Sequence, residues 1–354
     1  MLRKFAVLTA LLLLLTCAMP AQAQESNKLD IVCTTFPVYD WMRQILGSRR
    51  PEVNLSLMQD SGIDLHNYQP TVLDFITLSS ADLFIYVGGL SDAWAGDAVK
   101  EALNQDILVI NLMDAIKDAV KTEEIVEGMQ PEHEHDEDEH DEDEHEEDEH
   151  EEDEHEEDEH EEDEHENDEH EHEERDEHIW LSLRNAQLIV TAMKDALILV
   201  DPDHASLYGQ NAQLYNAQLN ALDAEYEAVA ERSEKRTLLF GDRFPFRYLM
   251  DDYGITYYAA FPGCSAETEA SFETITFLSG KVDELGLSSV MALDGSDQRI
   301  AQAVINASQA RNAQVLKLDS IQSVNALDIR EGASYLDMMR KNLEVIKQAL
   351  LKNE

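Results

Sequence analysis

Two α/β lobes, each with a mainly parallel sheet flanked by helices and joined by one long rigid helix, form the architecture the sequence predicts. Three observations predict it. Short apolar runs alternate with helix-spaced segments from Leu29 to about Asp114. The same alternation returns after Lys235. Between them, Asp203 to about Lys235 keeps one helical pattern without a proline. Strands separated by short helices point to βαβ units and parallel pairing, whose ligand crevice lies at the carboxyl ends of the strands.

The elements follow in order. Asp30 to Thr35 reads as a buried strand that ends at Phe36-Pro37, and Val38 to Leu46 has helical spacing. Glu52 to Met58 is a strand, Val72 to Ser79 a helix, Leu83 to Val87 a strand, Asp97 to Leu103 a helix and Ile107 to Asn111 a strand. Asn185 to Leu199 is helical and stops at Asp201-Pro202. The long segment repeats Leu207, Leu214, Leu219, Leu222, Tyr226 and Val229, with Asp203 as the expected cap. At 1.5 Å per residue a helix of about 30 residues spans about 45 Å, enough to cross from lobe to lobe. Beyond it come strands Thr237–Phe240, Thr256–Phe261, Ser289–Leu293 and Gln314–Leu318. The helices among them are Phe246–Tyr253, Phe272–Leu285, Gln298–Ala310 and the closing Tyr335–Leu351. The expected domains are a signal peptide at 1–23, an amino-terminal lobe at 29–200, a linking helix at 203–235 and a carboxy-terminal lobe at 236–354.

Arg3 and Lys4, the apolar run Ala6 to Leu15 and the small residues of Ala21-Gln22-Ala23 have the layout of a secretory signal, so the chain is expected outside the cytoplasm. A competing cut before Cys17 would leave a lipid tether. The net charge of −49 is unevenly spread. Residues 132 to 177 hold 34 acidic residues against one arginine, and the rest carries 41 acids to 25 bases. Without a basic stripe, nucleic acid is excluded as a partner. The acidic segment, taken as an insert at 130–177, repeats a five-residue unit with His at 140, 145, 150, 155, 160, 165 and 170. Charge of one sign at this density cannot bury a core, and the reading is disorder.

Outside the insert the histidines are His66, His178 and His204. His204 begins a polar helix and reads as structural. His66 lies in a loop between a strand and a helix, where an α/β sheet presents ligands, and His178 stands where the apolar chain resumes. Cys33 and Cys264 are open to three readings: a disulfide, buried thiols, or soft metal ligands.

The stretch Gly62-Ile-Asp-Leu-His66-Asn-Tyr-Gln-Pro70-Thr resembles the Gly-x-Asp-Pro-His-x-Tyr-Glu-Pro-Thr signature of the metal-binding proteins of zinc and manganese ABC importers. Ala81-Asp82-Leu-Phe-Ile-Tyr-Val-Gly is similar to that family's next strand, and Glu177-His178-Ile-Trp180-Leu to its Asp-Pro-His-x-Trp-Leu element. Phe246-Arg-Tyr-Leu-Met-Asp-Asp-Tyr-Gly-Ile and Tyr335-Leu-Asp-Met-Met-Arg-Lys-Asn-Leu also fit. The resemblance runs in order through nearly the whole mature chain.

The resemblance implies one metal ion held between the lobes by four side chains. His66 and His178 match the first two positions and Asp319 the late aspartate. The third, usually the His of a His-Asp-x-Phe element, falls in Gly241-Asp242-Arg243-Phe244, where glycine offers no side chain. Arg243 cannot substitute, because a guanidinium has no acceptor. Asp242, a water, or a thiolate from Cys33 or Cys264 could fill the gap. Asp242 or water is the expectation, with Arg243 paired to Asp242 or Asp319.

Imidazole with carboxylate suits zinc, and manganese tolerates it too; the histidine-rich insert tips the reading to zinc. The implied function is an importer's zinc-capturing component, not an enzyme, whose partner is an ABC permease. The alternatives are a stand-alone zinc buffer or metallochaperone, and a manganese-binding homologue. A metallohydrolase would need a base that no HExxH element supplies.

Overall fold

The computed structural model describes residues 28–130, 175–265 and 269–351. The expected signal peptide, the site at Cys17 and the histidines of the repeat lie outside the described residues. Among those described, no helix is long and apolar enough to cross a membrane. Residues 175–177, which the sequence reading assigned to the insert, belong to the folded body, where Asp176 and Glu177 are buried.

The first lobe contains β1 (Leu29–Cys33), β2 (Val53–Leu57), β3 (Leu83–Tyr86) and β4 (Leu108–Asn111) in the order β2-β1-β3-β4, all parallel. Its helices are α1 (Phe36–Leu46), α2 (Val72–Ser79), α3 (Trp94–Lys100), α4 (Leu112–Ala115) and α5 (Leu183–Val200). α2 starts where it does because Thr71 and Asp74 form a reciprocal capping box that satisfies the first backbone donors.

The long helix α6 runs from Ala205 to Arg232. Its start differs from expectation. Asp203 sits inside a short 3-10 turn, while Asp201 binds the His204 ring and the Tyr208 hydroxyl, which leaves His204 in the structural role foreseen for it.

The second lobe repeats the plan with β5 (Thr237–Phe244), β6 (Thr256–Pro262), β7 (Ser289–Leu293) and β8 (Gln314–Leu318), parallel in the order β6-β5-β7-β8. Its helices are α7 (Arg247–Asp252), α8 (Phe272–Leu285), α9 (Arg299–Ala307), α10 (Ala326–Arg330) and α11 (Tyr335–Leu351).

α6 buries Tyr208, Ala212, Tyr215, Leu219, Leu222, Tyr226 and Val229, a 3–4 spacing that lays one stripe across both lobes. Tyr226 donates to the Met339 carbonyl of α11, while Asn211 reaches Ile45 of α1. The largest hydrophobic cluster is continuous from Ile31 and Trp41 in the first lobe to Phe240, Leu249 and Leu343 in the second. Buried Asp40 of α1 accepts from the Tyr335 backbone N–H at 2.9 Å, and Ser61 and Asn325 form an antiparallel bridge across the cleft.

Lobes that share one core cannot swing apart without exposing it, at about 25 cal/mol per Å² of apolar surface. Solution scattering with and without zinc is therefore expected to show little change in the separation of the lobes. A large compaction would overturn this rigidity argument.

Candidate metal centre

His66 lies between β2 and α2 in a single 3-10 turn, Leu65–Asn67. Asp64 caps that turn by accepting from the His66 backbone N–H at 3.1 Å, and buried Leu65 anchors it. Nδ1 of His66 meets the Ser91 hydroxyl at 2.9 Å, so Nε2 faces the cleft.

His178 is held still more closely. Arg175 bridges Thr122, and Asp176 N–H donates to the Lys121 carbonyl. Asp176 Oδ1 then accepts both from the backbone N–H of His178, at 2.9 Å, and from its Nδ1, at 2.8 Å. A carboxylate on Nδ1 fixes the tautomer that leaves Nε2 as a donor atom for a metal. The ring is fully buried, with its edge against Trp180, whose Nε1 donates to the Ser320 carbonyl of the other lobe.

The two Nε2 atoms lie 3.1 Å apart. One proton between them suffices, and the surroundings decide where it sits. Burial depresses the His66 imidazole to about 4, and the adjacent His178 adds to the effect. For His178, burial opposes the charged form, but Asp176 outweighs it and raises the group above its usual value.

A third side chain with a ligating atom, Cys264, stands on the turn that follows β6. One ligand atom each from His66, His178 and Cys264 lie within 4.8 Å of one another. Zinc bonds of about 2.0 Å to nitrogen and 2.3 Å to sulfur place tetrahedral donors about 3.5 Å apart. The three side chains thus need only a small adjustment to hold an ion. Gly263 permits the approach: a Cβ there would lie 3.0 Å from both the His178 Cε1 atom and the Phe244 carbonyl oxygen. Glu123 accepts from the Cys264 backbone N–H at 3.2 Å.

The other sequence-derived candidates do not join this cluster. Asp242 is tied into the sheet: Oδ1 accepts from the Arg243 N–H at 2.9 Å and Oδ2 from the Leu293 N–H at 3.1 Å. Asp319 follows β8, where Oδ1 accepts from the Ile321 N–H at 2.8 Å; burial raises its carboxyl above the usual range. Arg243 pairs with neither expected carboxylate but with Asp64 across the cleft, at 3.0 Å. Cys33 and Cys264 are thiols rather than a bonded pair, and burial at the end of β1 pushes the Cys33 thiol up.

From the sequence, Asp242 or water is favoured over Cys264. The signal for it was a glycine-cysteine pair directly after a strand, at the sheet edge that presents ligands. Asp64, Ser91, Asp176 and Glu177, which orient the histidines, were not singled out. Glu177 is buried, accepts from the Ser91 N–H at 2.8 Å and lies 3.9 Å from His66 Nδ1. Burial shifts its carboxyl upward.

Comparisons with known proteins identify the family. The family model described as zinc-uptake complex component A, periplasmic, matches residues 31–349. The high-affinity zinc uptake system protein ZnuA of Bacillus subtilis is 25% identical over 327 residues, covering 92% of this chain and 89% of the relative. The zinc-binding lipoprotein AdcA of Streptococcus pneumoniae is 26% identical over 342 residues, covering 97% of this chain but 60% of the relative. Among solved structures, the metal-dependent lipoprotein YcdH of Bacillus subtilis superposes with a TM-score of 0.67 at 22% identity, covering 92% of this chain and all of that one. The periplasmic zinc-binding protein TroA of Treponema pallidum gives 0.66 at 22% identity, covering 91% and 99%. At such identities the structural matches establish the fold.

Proposed function

Because the chain belongs to the zinc-uptake complex component A family, we propose that it captures zinc between its lobes outside the cytoplasm and hands it to an ABC permease. The observation that carries this reading is the meeting of His66, His178 and Cys264 donors at the cleft. The family is one of uptake components, not of enzymes.

His66 and His178 supply two imidazoles and Cys264 a thiolate, and water or Asp319 completes the four positions zinc prefers. Two nitrogens and a sulfur suit zinc; manganese favours oxygen. Because the donors must lose their protons to bind, capture releases protons and weakens in acid. The relatives' names add support: both the Bacillus subtilis and the pneumococcal protein are named for zinc.

The test is zinc accumulation at limiting external zinc in cells that lack the chain. Accumulation is expected to fall, and to be restored by the native chain but not by a His66→Ala/His178→Ala variant. Unchanged accumulation would remove the importer role and leave a stand-alone zinc buffer, a reading to which the acidic histidine repeat lends weight.

A further inference from the structure

We propose that Arg243 is a positioning residue for the metal centre, tying the His66 turn of one lobe to the Cys264 loop of the other. The inference rests on the reading of His66, His178 and Cys264 as ligands.

Its origin is a bulge. β5 and β6 pair Phe240 with Ala259 and then Arg243 with Phe261, so β5 carries one residue more than its partner across Gly241 and Asp242. An extra residue in a strand re-aims the side chain that follows it. Asp242 fastens the bulge through its bonds to the Arg243 and Leu293 backbone N–H groups. Gly241 lets β5 lie against α9, where a Cβ would come within 2.4 Å of the Ala301 Cα.

Residue 243, so aimed, reaches in two directions. One terminal nitrogen donates to Asp64 Oδ2 at 3.0 Å, and Asp64 Oδ1 in turn accepts from the His66 backbone N–H. The other makes a longer contact, 3.5 Å, with the carbonyl of Ser265, the neighbour of Cys264. Glu123 holds the same loop through the Cys264 N–H. A planar guanidinium with donors at fixed angles can bridge two such acceptors, whereas an ammonium cannot span both in one geometry. The arginine therefore supplies rigidly what a ligand on β5 would otherwise supply: a connection from the second lobe to the His66 side of the site.

Charge and geometry make opposite predictions for this residue. A cation beside a metal site repels the ion, so a purely electrostatic role means tighter binding on its removal. A positioning role means weaker binding and a disturbed sulfur ligand.

The experiment compares the native chain with Arg243→Ala and Arg243→Lys, using zinc affinity from competition with a chromophoric chelator. The thiolate-to-cobalt charge-transfer absorption of the cobalt-loaded proteins reports the Cys264 bond, to which the histidine repeat cannot contribute. Arg243→Ala is expected to lower zinc affinity by roughly 10- to 100-fold, the range for partners that orient metal ligands, and to weaken the absorption. Arg243→Lys, which keeps the charge, is expected to fall between, and it carries the test where Arg243→Ala does not fold. Equal or tighter zinc binding with an unchanged absorption in both variants overturns the positioning role alone. A native chain that shows no thiolate absorption overturns the ligand reading, and this inference with it.

Discussion

Replacing Cys264 by serine is expected to cost the tight zinc site more than the roughly 100-fold that loss of an orienting partner costs, because a ligand itself is removed. A serine hydroxyl is nearly isosteric but does not ionise near neutrality, so the ion loses an anionic donor. His66 and His178 remain in place, since neither depends on the thiol for its orientation: Ser91 holds one ring and Asp176 the other. Residual binding through two imidazoles is expected, without the thiolate-to-cobalt absorption. His66→Ala/His178→Ala is the complementary control and should abolish the site. Asp242→Asn separates the structural assignment from the sequence-derived one. Its carboxylate serves backbone N–H groups of β5 and β7, so its loss should lower stability and weaken zinc binding no more than loss of Arg243 does, through the loosened bulge, rather than abolish it. The reverse pattern, with Asp242→Asn abolishing binding and Cys264→Ser tolerated, would return the third position to β5.

Why the sequence points to the histidines but not to the cysteine that stands beside them follows from what each depends on. α2, α8, β7, β8 and α11 have the bounds their periodicity predicts, because local signals fix their ends. Thr71 and Asp74 cap α2, Ser271 caps α8 at Thr274, and left-handed Gly286 stops α8. Errors arise where a local signal was read too simply. Gly241 looked like the end of β5, whereas the strand continues through a bulge to Phe244. α10 is too short to show a periodicity, although Asn325 and Asp328 form a capping box at its start.

His66 and His178 were legible because each stands next to a short motif with its own turn geometry. Cys264 was not, because its meeting with them depends on how far the turn after β6 reaches across the cleft. That reach is set by tertiary packing at Gly263, by Glu123 and by Arg243, three residues from three separate segments. No periodicity in one segment encodes such a convergence.

Gly241→His is the substitution that restores the family's usual third ligand on paper, and it is expected to fail. A Cβ at 241 would lie 2.4 Å from the Ala301 Cα, 2.7 Å from its nitrogen and 2.9 Å from its Cβ. Two of these are backbone atoms of α9, which cannot turn aside as a side-chain tip can. Ala301, Val304 and Ile305 of that helix pack into the core on the outer face of the second sheet, so moving it disturbs the whole layer. The cost should reach or exceed the about 1–3 kcal/mol typical of overpacking. At roughly 2–4 °C per kcal/mol for domains of 150–250 residues, the thermal midpoint should fall by several degrees. Gly241→Ala, which adds one methyl group, isolates the clash from the imidazole and should already destabilise the fold. Zinc affinity should not rise in Gly241→His, because any shift of β5 also moves the bulge that aims Arg243 at Asp64. A Gly241→His protein with an unchanged midpoint and tighter zinc binding would contradict both parts of this reasoning. It would mean that β5 can still carry a ligand and that the glycine reflects a lost donor rather than a strand packed too closely to bear one.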